Sequence, residues 1–63
     1  MDVAQNIVVV RTMPGLASAA CSALDGMDIP GMVGSLAGDD TAFLVMKDAE
    51  SAEVFCREIR DML

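Results

Sequence analysis

The stretch GSLAGDDTAF, residues 34–43, sets two aspartates side by side, Asp39 and Asp40, between Gly38 and Thr41 in an otherwise apolar neighbourhood. Gly38-Asp39 fits the centre of a two-residue type II′ turn, in which glycine supplies the positive φ. The flanking runs then pair as a hairpin, roughly Met32–Ala37 with Asp40–Met46. Two like charges at its tip are a cost: they repel by about 1 kcal/mol at ~4 Å in water and by about 4 kcal/mol at an effective dielectric of ~20. A shared cation would relieve it.

Outward from the hairpin, NIVVVRT (Asn6–Thr12) is a β-branched run and reads as a strand. Ile7 and Val9 face one way, Val8 and Val10 the other, so both faces call for cover. MDVAQ reads as the end of a preceding strand, with Gln5-Asn6 near a turn, so the chain would begin inside an element.

PGLASAACSALDG reads as a short helix with Pro14 in the first turn and Gly26 at C′. Ala17, Ala20, Cys21 and Leu24 form its apolar stripe. Its opposite face, Ser18, Ala19, Ser22 and Ala23, lacks the charges of an ordinary surface helix, which predicts a helix covered on two sides. DAESAEVFCREIRDML reads as a second helix with Asp48 as N-cap, Glu50 and Glu53 near the positive end, and a stripe of Ala52, Phe55, Cys56, Ile59 and Leu63. Glu53 and Arg57 add an i,i+4 pair. The order β-α-β-β-α, with the end of a strand in front, predicts an α+β fold: a small, mostly antiparallel sheet with two helices packed on one face.

At 63 residues the chain holds one domain, residues 1–63. Domains this small bury only about 60% of their unfolded surface and lean on disulfides, metals or partner subunits. Two cysteines and no histidine leave partner subunits as the leading option. Hydrophobic residues make up 54% of the chain, with two Phe, no Tyr or Trp and six Met, more apolar surface than so small a core can hide.

A net charge of −6 with four basic residues argues against direct contact with nucleic acid and favours a cationic ligand, although solubility alone would explain it. Without histidine there is no Ser/His or Cys/His pair, and no glycine-rich loop opens a helix, so enzyme readings fare poorly. No metal-ligand spacing and no cofactor motif is present. No signal peptide and no membrane-spanning apolar run is apparent, and two thiols without a disulfide framework point to the cytoplasm.

Asp25, Asp39 and Asp40 are the candidate ligand-binding residues. Asp25 ends the first helix, where the helix dipole disfavours an anion, and Asp40 stands where strands disfavour Asp. Two of them also have a plain alternative, Asp25 as a solvated helix end and Asp39 as ordinary turn chemistry beside glycine, whereas Asp40 is harder to dismiss. Cys21 and Cys56 lie on apolar helix faces and read as buried inert thiols.

The segment GSLAGDDT, Gly34–Thr41, resembles the G-T-I-A-G-D-D-T signature of the C-terminal domain of bacterial arginine repressors. VVVRTMPGLASAACSALD, Val8–Asp25, is similar to the strand, Pro-Gly turn and helix that precede it in that family, so the resemblance spans nearly the whole chain. It implies an L-arginine-sensing oligomerisation domain of a transcriptional repressor of arginine metabolism. Such domains form trimers, and two trimers stack into a hexamer with arginine, the co-repressor, between them. DNA is met only through a separate winged-helix domain that precedes this one.

By the same resemblance Asp39, Asp40 and Asp25 contact arginine, Ser35 and Ala37 line the pocket, and Ser18 stands where the family often carries a longer polar residue such as Gln. Paired carboxylates suit the guanidinium and α-amino groups of arginine, with charge-assisted bonds worth about 1.5–3 kcal/mol each. Two other readings stay open: an amino-acid-binding regulatory module of a metabolic enzyme, and a purely structural oligomerisation module whose aspartates only form a turn.

Overall fold

The computed structural model describes residues 1–62 and contains strands β1 (Asp2–Ala4) and β2 (Ile7–Arg11), helix α1 (Ala17–Asp25), strands β3 (Met32–Ala37) and β4 (Thr41–Met46), and helix α2 (Ala49–Met62). The strands form one antiparallel sheet in the order β1-β2-β4-β3. The α+β class, the two helices on one face and the leading strand are as the sequence predicts. Leu63, the last residue of the expected stripe on α2, lies outside the described residues.

Alternation sorts the strands into two faces. Val8 and Leu44, directly opposite one another, point inward with Met46 and meet Ala52, Phe55 and Cys56 of α2. Ala42 points to the same side and meets Ala17 and Cys21 of α1. These small side chains let α1 lie close to the sheet. Among the described residues no helix covers the other face: Val9, Phe43 and Leu36 stand in register across three strands, with Phe43 44% and Leu36 72% exposed. Ser18, Ala19, Ser22 and Ala23 on the outer side of α1 are also exposed in the single chain. The cover expected for β2 and α1 therefore does not come from within the chain.

Local details depart from the sequence reading where distant contacts intervene. The hairpin is not a type II′ turn at Gly38-Asp39. Gly38 donates its N–H to the Thr41 carbonyl at 2.8 Å, so Asp39-Asp40 form the tip, and the left-handed glycines are Gly15 and Gly31. Asp40 thus belongs to the loop, and β4 starts at Thr41. Pro14 precedes α1 rather than opening it: with Gly15 at φ 83° and the Leu16 N–H on the Met13 carbonyl at 3.1 Å, Met13–Leu16 is a type II turn. Gly26 caps α1 in the right-handed region, φ −80°, and the left-handed residue after the helix is Asp28, φ 54°.

Asp48 caps α2 as expected, accepting the Ser51 N–H at 2.7 Å. That bond holds its carboxyl below the ordinary value of 3.8. The folded form is the poorer proton acceptor, so the cap stabilises at pH values above the ordinary one and the benefit is lost as pH falls through the lowered folded value. Asp48→Asn should therefore lower the unfolding midpoint at neutral pH and converge with the parent in acid, read by thermal melts from neutral pH down to about pH 2. Gly31 has a second constraint besides its φ of 82°: a Cβ there would meet Ser51 Oγ at 2.7 Å and Ser51 Cβ at 2.9 Å, whereas one at Gly15 would meet nothing within 4 Å. Gly15→Ala should cost about 1 kcal/mol and Gly31→Ala clearly more, by urea unfolding.

Candidate functional site

The hairpin tip is held by its backbone. The Asp39 carbonyl accepts the N–H groups of Gly15 at 3.0 Å and Ala17 at 3.3 Å, and the Asp40 carbonyl accepts that of Thr12 at 2.7 Å. Leu16, the α1 N-cap, makes no side-chain capping bond, so the Asp39 carbonyl supplies an acceptor that the helix start requires. With the carbonyls turned inward, the Asp39 carboxylate projects from an exposed residue and that of Asp40 from a half-buried one. The Thr41 hydroxyl donates to Asp40 Oδ1 at 3.0 Å. The helix start is also the positive end of α1, which favours carboxylates nearby.

Asp25 is at the far end of the same helix. Eight residue steps separate Ala17 from Asp25, about 12 Å along the axis. At that unfavourable negative end the Ser35 hydroxyl donates to the Asp25 carboxylate, 3.1 Å from Oδ1 and 3.3 Å from Oδ2. The structure thus brings Asp39 and Asp40 together, and Asp25 with Ser35, but does not join the two pairs within one chain. Ser18 lies in the first turn of α1, exposed and beside the Ala17 that Asp39 caps. Ala37 packs under α1 and also lines a shallow depression of about 330 Å³ with Leu36, Gly38, Thr41 and Phe43 next to the aspartates.

The sequence reading missed Thr41, although a hydroxyl directly after an acidic pair was there to be noticed. It gave Ser35 as a pocket-lining residue without its bond to Asp25, a partner ten positions away that no periodicity reveals. Among the described residues no group of three or more Asp, Glu, Cys or His could hold a metal ion, and Cys21 and Cys56 are buried free thiols. No helix among those residues is long and apolar enough to cross a membrane.

Residues 1–61 match the model of the family described as arginine repressor, C-terminal domain. The chain is 50% identical over 58 residues to an arginine repressor of Acetivibrio thermocellus, covering 92% of this chain and 38% of that protein. It is 43% identical over 63 residues to that of Halothermothrix orenii, covering all of this chain and 42% of that protein, and 41% identical over its whole length to that of Thermotoga petrophila, again 41% of the relative. The chain thus spans about two fifths of the length of these relatives.

Because carbonyls rather than carboxylates tie the tip to α1, neutralising the side chains should leave the fold alone. Asp39→Asn and Asp40→Asn are expected to change unfolding stability by no more than about 0.5 kcal/mol, measured in urea without ligand.

Proposed function

This chain belongs to the arginine repressor C-terminal domain family, and on that footing we propose that it is an L-arginine-binding oligomerisation domain of a transcriptional repressor of arginine metabolism. The whole of residues 1–63 serves this role. DNA contact belongs to a separate domain of the parent protein, in keeping with the −6 charge here, and the work is done in the cytoplasm.

The observation that carries the reading is the division of the acidic groups between the two ends of α1. Asp39 and Asp40 stand at its start and Asp25 with Ser35 at its finish, the two ends about 12 Å apart along the helix axis, and among the described residues no hydrogen bond joins the two pairs within one chain. A complete acceptor set forms when the tip of one copy meets the helix end of another. Ala37 and Ser18 belong to the walls of that shared pocket. The uncovered apolar sheet face and the charge-free outer side of α1 provide surface for such copies to meet, as trimers and as a hexamer of two stacked trimers.

Ligand and assembly are then linked. Carboxylates gathered from several copies repel one another, guanidinium groups offset the repulsion, and arginine favours the assembly that completes its own site. Lysine, with a compact ammonium in place of a planar fork, binds more weakly. No cofactor beyond the co-repressor arginine is involved.

Calorimetry of the chain against arginine, lysine and a panel of other amino acids tests this. Arginine should bind best, and Asp40→Asn should weaken it at least about tenfold, the loss of a desolvated charge-assisted acceptor. An unchanged affinity returns the aspartates to turn chemistry; a different preferred amino acid points to a module with another ligand. In sedimentation velocity the chain should run as trimer, hexamer or both, and arginine should shift the balance toward the hexamer. A monomer with and without arginine, or a distribution unmoved at saturating arginine, excludes a site between subunits.

A further inference from the structure

The methionines differ widely in exposure. Met46 is buried in the core and Met32 is half-buried, whereas Met1, Met27 and Met13 are 41%, 53% and 72% exposed. Met13 is also fixed at the acidic tip by its backbone. Its carbonyl accepts the Leu16 N–H at 3.1 Å and the Thr12 hydroxyl at 2.9 Å. Thr12 and Gly15, on either side of it, donate to the Asp40 and Asp39 carbonyls at 2.7 and 3.0 Å. These bonds hold a thioether largely in solvent on the turn that carries the two aspartates. Both cysteines are buried, so the exposed thioethers are the sulfurs that a peroxide reaches.

We propose that Met13 is a site of reversible oxidation by uncharged hydroperoxides, and that its sulfoxide opposes arginine-linked assembly. The second half rests on the arginine-binding reading above. In the step, the Met13 sulfur attacks one oxygen of the peroxide and the O–O bond breaks. The proton of the transferred oxygen passes to the leaving oxygen, which departs as water, or as an alcohol from an organic hydroperoxide. Sulfur is oxidised by two electrons and the peroxide is reduced by two. A thiol-dependent sulfoxide reductase reverses the change, with two thiols becoming a disulfide and the sulfoxide oxygen leaving as water. The charge of Asp39 and Asp40 repels anionic oxidants and leaves an uncharged peroxide unopposed. Oxidation turns a flexible apolar side chain into a polar one with a strong acceptor. Where the tip meets another copy that acceptor would be buried, and the neighbouring Asp39 and Asp40 carboxylates, when ionised, have no proton to give it. Assembly in turn covers the thioether, so arginine protects Met13.

The test treats the chain with hydrogen peroxide, with and without saturating arginine, and locates the sulfoxide by peptide mass spectrometry. Arginine calorimetry and sedimentation velocity follow, with Met13→Leu and Met27→Leu alongside. Without arginine, Met13 should oxidise ahead of Met1 and Met27 and at least about tenfold faster than the buried Met46. Arginine should slow Met13 about fivefold. The oxidised chain should need about tenfold more arginine to reach the same fraction of hexamer. Met13→Leu should assemble as the parent does and keep its arginine response after peroxide, whereas Met27→Leu should lose it. Oxidation that falls first on Met27, an oxidised Met13 with undiminished assembly, no protection by arginine, or an equal loss in peroxide-treated Met13→Leu each overturns the proposal. If the untreated chain takes up no arginine, the ligand reading fails and the effect on assembly with it; the oxidation rates without arginine still decide whether Met13 is the preferred site.

Discussion

The acidic tip of the candidate site hangs on a small set of main-chain bonds between the β3–β4 turn and the connection from β2 to α1. Two carbonyls, of Asp39 and Asp40, meet the N–H groups of Thr12, Gly15 and Ala17. They fix where α1 begins and settle the conformation of the tip. Asp39 is left exposed and Asp40 half-buried. The same peptide groups that complete the helix start thus determine what the surface presents. The tie to α1 thus does not draw on the carboxylates, of which Asp40 bonds the neighbouring Thr41 hydroxyl.

The surface that results has two characters. One is apolar and flat, the helix-free side of the sheet with Val9, Phe43 and Leu36 aligned across three strands. The other is acidic and local, at the two ends of α1. A domain of 63 residues cannot enclose this much apolar area, and its core consists largely of small or flexible side chains: Ala17, Cys21, Ala42, Ala52, Cys56 and Met46, with Val8, Leu44 and Phe55 as the larger members. On the proposed reading, association with further copies would complete burial that folding leaves unfinished. Placing acidic groups at the margins of such surfaces makes association responsive to a cation, since the charge that opposes contact is the charge a ligand neutralises.

Most of the architecture was legible because it is governed by neighbours in sequence. β-Branched runs gave the strands, the stripe Ala17, Ala20, Cys21 and Leu24 gave the buried side of α1, and Asp48 marked the start of α2. What failed was set by contacts over long separations. The turn at 38–41 was misread because the carbonyls at its tip are drawn to residues more than twenty positions away, and that pull replaces the left-handed glycine a free hairpin would use. Pro14 was put inside α1 because the type II turn it makes with Gly15 looks, in sequence, like a helix start. At the site, the acidic pair stood out as an unfavourable adjacency, but the bond between Ser35 and Asp25 depends on how β3 lies beside α1, which no local pattern encodes.

The strand order β1-β2-β4-β3 also has a bearing on how the chain reaches its native state. Each pair of consecutive strands that forms a hairpin, β1 with β2 and β3 with β4, closes over a few residues and zips locally. Their union is different: Ile7 pairs with Val45 and Arg11 with Thr41, so the central seam joins segments 30 to 38 positions apart. The entropy of closing that loop, which grows as (3/2)RT ln n, must be met before the seam contributes anything. Contacts of such long sequence separation slow folding relative to the local hairpin contacts, so topology assigns the larger closure cost to the β2–β4 seam. Until it forms, both hairpins carry unpaired edges and apolar faces, and productive folding competes with association between incomplete chains.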